Sequence, residues 1–343
     1  MSSRTSSRQA TPQAALNGRR SARLRLRAAW MYYVEDMTQT AIAEALGIGR
    51  VTVVRMLADA RELGEVKISL SRDIAELRRA EIALEERFGL REAVVAPLAS
   101  AEADPLPVIG AATGEYLSGF MAPGMKIGVG WGRTLLHSLN AIDDRPLQDL
   151  SIVSLLGGIS AVRQYNPAEF AWQFARLFNA SCYLIAAPAL VDSVETKRAL
   201  IERCGIGPAF HMADQLDAVL VSVGGMGTEA NSSLFGHFSD ADRQSLLARG
   251  AVGNLLYNFY DITGRLVDHP LNQRVMSAPI EALCRTPQRI LTSGGPDKIE
   301  ALQGALTLLR PTVLITDEVT ANTLLAQPAA AADRPARRQA AQR

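Results

Sequence analysis

Three glycine-rich stretches carry the clearest chemistry in this chain: Gly130-Trp-Gly-Arg-Thr134, Gly224-Gly-Met-Gly227 and Gly294-Gly-Pro-Asp-Lys298. Each follows a short apolar run that reads as a strand. Glycine lets backbone N–H groups approach a ligand closely, and a loop that opens a helix adds the anion preference of the helix N-terminus. In the first loop Gly130 and Gly132 supply the close approach, while Arg133 and Thr134 can touch phosphate or hydroxyl oxygens. Gly224, Gly225 and Gly227 repeat the theme. In the third, Pro296 suits a first helical turn, and Lys298 stands near the helix start as a cation for a bound phosphate. Plainer readings stand beside these: a solvated helix lysine for Lys298 and an ordinary tight turn for the Gly224 loop. Trp131 reads as core rather than as a stacking platform. Asp261, before a Thr-Gly pair, reads from its type as the cap of that turn.

A second set of residues suits nucleic acid. Thr38-Gln-Thr-Ala-Ile-Ala-Glu-Ala-Leu46 opens with an N-cap and continues with good helix formers. Gly47 supplies a turn and Ile48 an apolar plug. A second helix is expected from Arg50 to about Leu63, with Val53, Val54 and Leu57 facing inward and Gly64 as its stop. Helix, glycine turn and helix at this spacing make a helix-turn-helix, whose second helix enters the major groove of double-stranded DNA. Arg50, Thr52 and Arg55 are its base-edge candidates, since an arginine can bond both acceptors of a guanine. Thr38 and Gln39 are placed to hold phosphates. A helical hairpin with a solvated charged face is the plain alternative.

The elements that must position these residues fall into two parts. Residues 1–20 are polar and expected to be disordered; 21–70 read as compact helices ending in a short strand, and 71–88 as a linking helix. Residues 89–326 form the larger domain, with Ala96–Pro107 as a loop. Strands are expected at Lys126–Gly130, Ser151–Leu156, Ser181–Ala186, Ala218–Val223, Arg289–Ser293 and Thr312–Thr316, with helices such as Pro167–Phe178 and Ile299–Leu309 between them. That alternation predicts an all-α head on a large α/β, Rossmann-like domain with a parallel sheet, whose ligands sit at the carboxyl ends of the strands. The tail 327–343 is Ala-, Pro- and Arg-rich and expected to be disordered.

The 343 residues carry a net charge of +1, but the distribution is uneven: Met1–Arg72 holds 12 Arg and Lys against 6 Asp and Glu. A basic head on an acidic body fits an anionic partner for the head alone. No run of about 18 apolar residues suggests a membrane span, and the N-terminus has no secretory apolar core. Cys182, Cys204 and Cys284 read as small buried apolar residues in a reduced, cytoplasmic protein. His137, His211, His237 and His269 lack metal spacing and read as surface or core residues, so neither metal nor cofactor is expected.

Trp30-Met-Tyr-Tyr-Val-Glu-Asp-Met-Thr-Gln39 through Arg61-Glu-Leu-Gly-Glu-Val-Lys-Ile68 resembles the head of the SorC family of sugar-responsive regulators. Two positions depart from the usual pattern: Gly49 stands where a serine is common, and so does Val54. The resemblance runs to about residue 325 through Gly128–Thr134, Leu156–Gly158, Val223–Gly227, Tyr260–Gly264, His269–Arg274, Gly294–Lys298 and Ile315–Asp317. It implies a body like that of sugar-phosphate isomerases and deaminases, used as a sensor. It also implies that Asp261 accepts hydrogen bonds from effector hydroxyls, with Arg274 in the same site or anchoring its loop.

The expectation is therefore a regulator of a sugar or polyol catabolic operon, a dimer or tetramer that binds operator DNA and a sugar phosphate. An unphosphorylated polyol is the alternative effector. An isomerase or deaminase is the alternative of another class; it needs a placed acid/base pair, for which Asp261, Asp317 and His269 are the nominees.

Overall fold

The computed structural model describes residues 12–66, 74–159, 166–227 and 239–327, with side chains from Arg20 in the first segment and from Ala75 in the second. It divides into two units, Met1–Ser71 and Arg72–Arg343.

The first unit is three helices, α1 (Pro12–Tyr33), α2 (Gln39–Leu46) and α3 (Arg50–Glu62). The helix α1 starts inside the stretch expected to be disordered. Proline at the head of a helix is favourable, and the Ala and Leu that follow continue it; average polarity hid that local propensity. Residues 1–11, the strand expected near residue 70 and residues 71–73 lie outside the described residues. Ala28, Ala29, Ile42, Val53, Leu57 and Ala60 form the core of the unit. Thr38 caps α2, its hydroxyl accepting from the Ala41 amide at 3.2 Å, and Gly47 ends it at φ +64°. Val54 does not face inward: it is 45% exposed. The buried stripe runs Val53, Leu57, Ala60, and Val54 lies about 100° round the helix from it. The Arg25 guanidinium donates to both carboxylate oxygens of Glu65, tying α1 to the end of α3.

The second unit opens with α4 (Ile74–Phe88) and continues β1 (Glu92–Ala96), α5 (Leu106–Phe120), β2 (Lys126–Val129), α6 (Arg133–Ser138), β3 (Ser151–Ser154), α7 (Pro167–Leu177), β4 (Ser181–Tyr183), α8 (Val194–Arg203), α9 (Gly207–Ala213) and β5 (Ala218–Val221). Then come β6 (Val223–Gly225), α10 (Asp240–Ala248), β7 (Gly253–Leu255), β8 (Asn258–Tyr260), α11 (Pro270–Arg274), α12 (Ile280–Arg285), β9 (Gln288–Thr292), α13 (Ile299–Leu309), β10 (Val313–Asp317) and α14 (Glu318–Ala326). Seven strands pair in the order β1-β10-β9-β5-β2-β3-β4, every pairing parallel. The central strand β5, Ala-Val-Leu-Val, is buried at every position, as a strand covered on both faces must be. One face packs on α5 and α7, where Phe170, Phe174 and Phe178 recur at helical spacing. The other packs on α4, α13 and α14.

All six expected strands are present with shifted ends. Missing from the expectation were β1 and a small antiparallel sheet, β6-β7-β8. The hairpin β7-β8 lacks the Asn-Gly signal of a two-residue turn; instead Leu256 and Tyr257 take φ of +51° and +62°. The Asn258 amide steadies that turn by donating to the carbonyls of Leu255 and Leu256. Trp131 is half-buried and meets Tyr257 edge-on at 5.5 Å, consistent with core packing. On α5, a Cβ at Gly110 or Gly114 would lie 2.5 Å from His137 or 2.6 Å from Ala141, so α5 and α6 touch backbone to backbone. Cys182 and Cys284 are half-buried, but Cys204 is exposed, contrary to expectation, because α8 ends there at the surface.

Candidate DNA-reading helix and effector site

In the first unit the expected DNA residues take two positions. Arg50, Thr52 and Arg55 share α3, the arginines exposed and Thr52 half-buried. Thr38 and Gln39 stand at the start of α2, and the Thr38 hydroxyl is already engaged as the cap.

In the second unit β3 and β4 lie on one side of β2 and β5 on the other, so the order in which strands are added reverses between β2 and β5. Such a switch point opens a crevice at the carboxyl ends of the strands. Two of the glycine loops flank it, and the third follows β9 beside β5. The Gly130 amide donates to the Leu220 carbonyl at 2.8 Å, and Gly132 takes φ +130° before α6 begins at Arg133. Arg133 is exposed; Thr134 is buried, and its hydroxyl has no partner among the described residues. Gly224 and Gly225 are not the expected loop or tight turn but the end of strand β6, paired with Asn254 and Gly253 of β7; only the residues after Gly225 leave the small sheet. At Gly225 a Cβ would lie 2.6 Å from the Asp297 carbonyl, so this backbone is pressed against the third loop. Gly227 is exposed at the end of the described stretch.

The third loop hangs from α14. The Gly295 amide donates to the Asp317 carboxylate at 3.2 Å and to the Thr320 hydroxyl at 2.9 Å, while Asp317 caps α14 by accepting from the Thr320 amide at 2.8 Å. Sequence reasoning gave Asp317 no part in positioning this loop and missed Thr320. The signal was present: Asp317-Glu-Val-Thr320 after a strand is an N-cap pattern. Burial pushes the Lys298 ammonium below the usual lysine value; Asp297 opposes this and the nearby Arg133 adds to it. No carboxylate of the described residues forms an ion pair with it. Arg133, on a different loop, is thus within electrostatic reach of Lys298, as are Asp297 and Asp104.

Asp261 and Arg274 are not brought to that pair. The Asp261 Oδ1 accepts from the Thr263 amide at 2.9 Å, the Thr263 hydroxyl at 2.7 Å and the Arg265 amide at 3.0 Å. Its own carbonyl lies against Gly304, six residues along from Lys298 and so about 9 Å further down the helix. Arg274 ends α11 and donates to the Asp192 carbonyl at 3.1 Å, while its buried Nε has no partner among the described residues. His269 caps α11, accepting from the Leu271 amide at 3.2 Å.

Residues 72–326 match the family model "Putative sugar-binding domain". The likeness also spans the head: the deoxyribonucleoside regulator of Bacillus subtilis is 31% identical over 90% of this chain and 98% of its own length. The chain belongs to the SorC family of transcriptional regulators. The erythritol catabolism regulatory protein EryD of Brucella abortus is 30% identical over 89% of this chain and 97% of its own. The crystal structure of the full-length sorbitol operon regulator SorC from Klebsiella pneumoniae aligns with a TM-score of 0.68 and 29% identity, covering 88% of this chain and 98% of that one. The SorC-family fold is thus a helical N-terminal region and a parallel-sheet α/β domain, as the residue pattern led us to expect. No helix among the described residues is long and apolar enough to cross a membrane.

Proposed function

We propose that this SorC-family chain regulates a sugar or polyol catabolic operon, binding double-stranded operator DNA through α3 and a phosphorylated sugar at the β2/β5 crevice. The observation that carries the effector reading is Lys298: a half-buried lysine without an ion-pair partner among the described residues, whose side chain lies against Gly225 and which is within electrostatic reach of Arg133. A bound phosphate would complete that charge and take backbone donors from Gly132, Gly224, Gly225 and Gly227. Gly130, whose amide is held by the Leu220 carbonyl, contributes only a bare backbone that a ligand can approach. Asp261, whose Oδ2 stands outside its turn, and Arg274 join the proposed site by family resemblance. In the head, Arg50, Thr52 and Arg55 read bases, and Thr38 and Gln39 hold phosphates. The assembly is a dimer or larger homo-oligomer, since helix-turn-helix proteins of this kind read paired half-sites.

A second reading, an unphosphorylated polyol, is favoured by the buried, unpartnered Thr134 hydroxyl and by relatives named for erythritol and sorbitol. The enzyme alternative finds little support: Asp317 caps α14, His269 caps α11 and Asp261 closes its turn, so the three nominees serve three separate structures. Thermal-shift titration with erythritol, sorbitol, their phosphates and inorganic phosphate tests the effector. Stabilisation by the phosphates but not the free polyols supports the first reading, and the reverse result replaces it with the second.

A further inference from the structure

Val51, in the first turn of α3, is 84% exposed, far more than any other large apolar side chain among the described residues. Its position on the helix is telling. With Val53, Leu57 and Ala60 buried, about 100° per residue places Val51 and Arg55 together, roughly opposite the buried stripe. Arg50, by the same arithmetic, projects to the flank, only about 60° from Val53. The outward face thus has a branched aliphatic group at its N-terminal end with a guanidinium one turn later, and half-exposed Val54 at its side.

Cationic side chains around an exposed apolar group match one surface well. The major groove lies between phosphate rows and presents the thymine C5-methyl as its apolar mark. We propose that Val51 is a specificity-determining residue whose methyl groups pack on a thymine methyl of the operator, with Arg55 at the neighbouring base pair. This rests on the reading of α3 as the recognition helix.

The test uses the full chain and a duplex that the wild-type protein selects from a randomised DNA pool. Each thymine of the selected half-site is replaced in turn by deoxyuridine, which lacks only the methyl group. Wild type and Val51→Ala are titrated against every duplex. Alanine is the better helix former and the site is exposed, so the variant keeps its fold, which circular dichroism checks. At one thymine per half-site, loss of the DNA methyl should weaken wild-type binding about fourfold, the worth of about one buried methyl-sized group. Val51→Ala should bind the unmodified duplex correspondingly more weakly and show no further loss at that thymine. Val51→Thr, which keeps one methyl, should fall between. Equal deoxyuridine sensitivity in wild type and Val51→Ala overturns the proposal, as does a wild type indifferent to every replacement. A Val51→Ala variant that changes oligomeric state in light scattering while keeping wild-type sensitivity also overturns it, in favour of a second copy on this face. Failure of the wild type to select any duplex would instead remove the DNA-binding reading itself.

Discussion

Glu81, on the helix that leads into the second unit, accepts a hydrogen bond from the Val95 amide of edge strand β1 at 3.1 Å. Glu85, one turn later, does the same for the Ala93 amide at 3.2 Å, and the Arg78 guanidinium bridges the two carboxylates. The helix thereby blocks the open edge of the sheet, where unpaired N–H groups would otherwise invite another chain.

Replacing Glu81 with alanine should leave the buried Val95 amide unpaired and lower unfolding free energy by about 1–3 kcal/mol. Glu81→Gln keeps an acceptor and should lose less. Urea denaturation of the three proteins checks the order, and matching midpoints for alanine and wild type would remove this role.

Gly225→Ala should force a Cβ to within 2.6 Å of the Asp297 carbonyl and push the second and third loops apart. We expect about 1–3 kcal/mol of lost stability, with operator affinity unchanged and roughly tenfold more effector needed for the DNA response. Gel-shift titration with and without effector reads both quantities.

Lys298 ties stability to pH. Its ammonium is held below the ordinary lysine value by burial. Below its lowered folded-state value it is charged in both folded and unfolded chains, and the folded chain bears the desolvation cost. As pH climbs toward the ordinary value of about 10.4, the folded chain releases its proton first and that cost disappears. Lys298→Met should therefore be more stable than wild type at pH 7, and the gap should close over the alkaline window just below about pH 10.4. If phosphate is the effector's handle, a sugar phosphate at a hundred times its Kd should add about 2.7 kcal/mol to the wild type and far less to the variant. Denaturation midpoints across pH, with and without the ligand, test both statements.

Asp261 should respond to acid. Burial alone would raise its carboxyl, but the donors at Thr263 and Arg265 outweigh that and hold it below the usual carboxylate value. Its stabilisation is thus present above about pH 4 and lost as pH falls through the lower folded-state value. Asp261→Ala should cost about 1–2 kcal/mol at pH 7, allowing for its partial exposure, and less once the wild-type carboxyl is protonated and accepts only as a neutral group. Asp261→Asn should keep most of the turn, so that a weakened effector response in this variant measures any direct contact. A wild-type response in Asp261→Asn would confine the residue to its turn.

The parts of this fold that were legible are those governed by local rules. Central strands show as apolar runs, and the loops after β2, β5 and β9 show as glycine clusters before helices. The head was legible from Thr38 to Gly47 because both caps are encoded by residue type. What escaped depends on partners far along the chain. β1 is five residues closed by the carboxylates of α4, the turn of β7-β8 uses Leu256 and Tyr257 where glycine or asparagine would signal it, and Asp317 acts on a loop twenty-two residues earlier. Val54 was misplaced because a valine in a helix favours no face by itself; only the packing of Val53 and Leu57 decides it.

The glycines of α5 also give the two sides of the proposed effector crevice different supports. Gly110 and Gly114 let α6 lie backbone to backbone on α5, and Thr113 binds α5 to the sheet through a 2.7 Å hydroxyl contact with Thr292. The Arg133 side is accordingly bolted to the frame, whereas the Lys298 side is suspended from the first turn of α14, whose far end is gripped by Arg87 of α4 through the Leu325 carbonyl at 2.7 Å. Tightening about the proposed anion would for that reason be one-sided: the anvil would stand still, and the load would pass down α14 to the helix that closes the sheet edge.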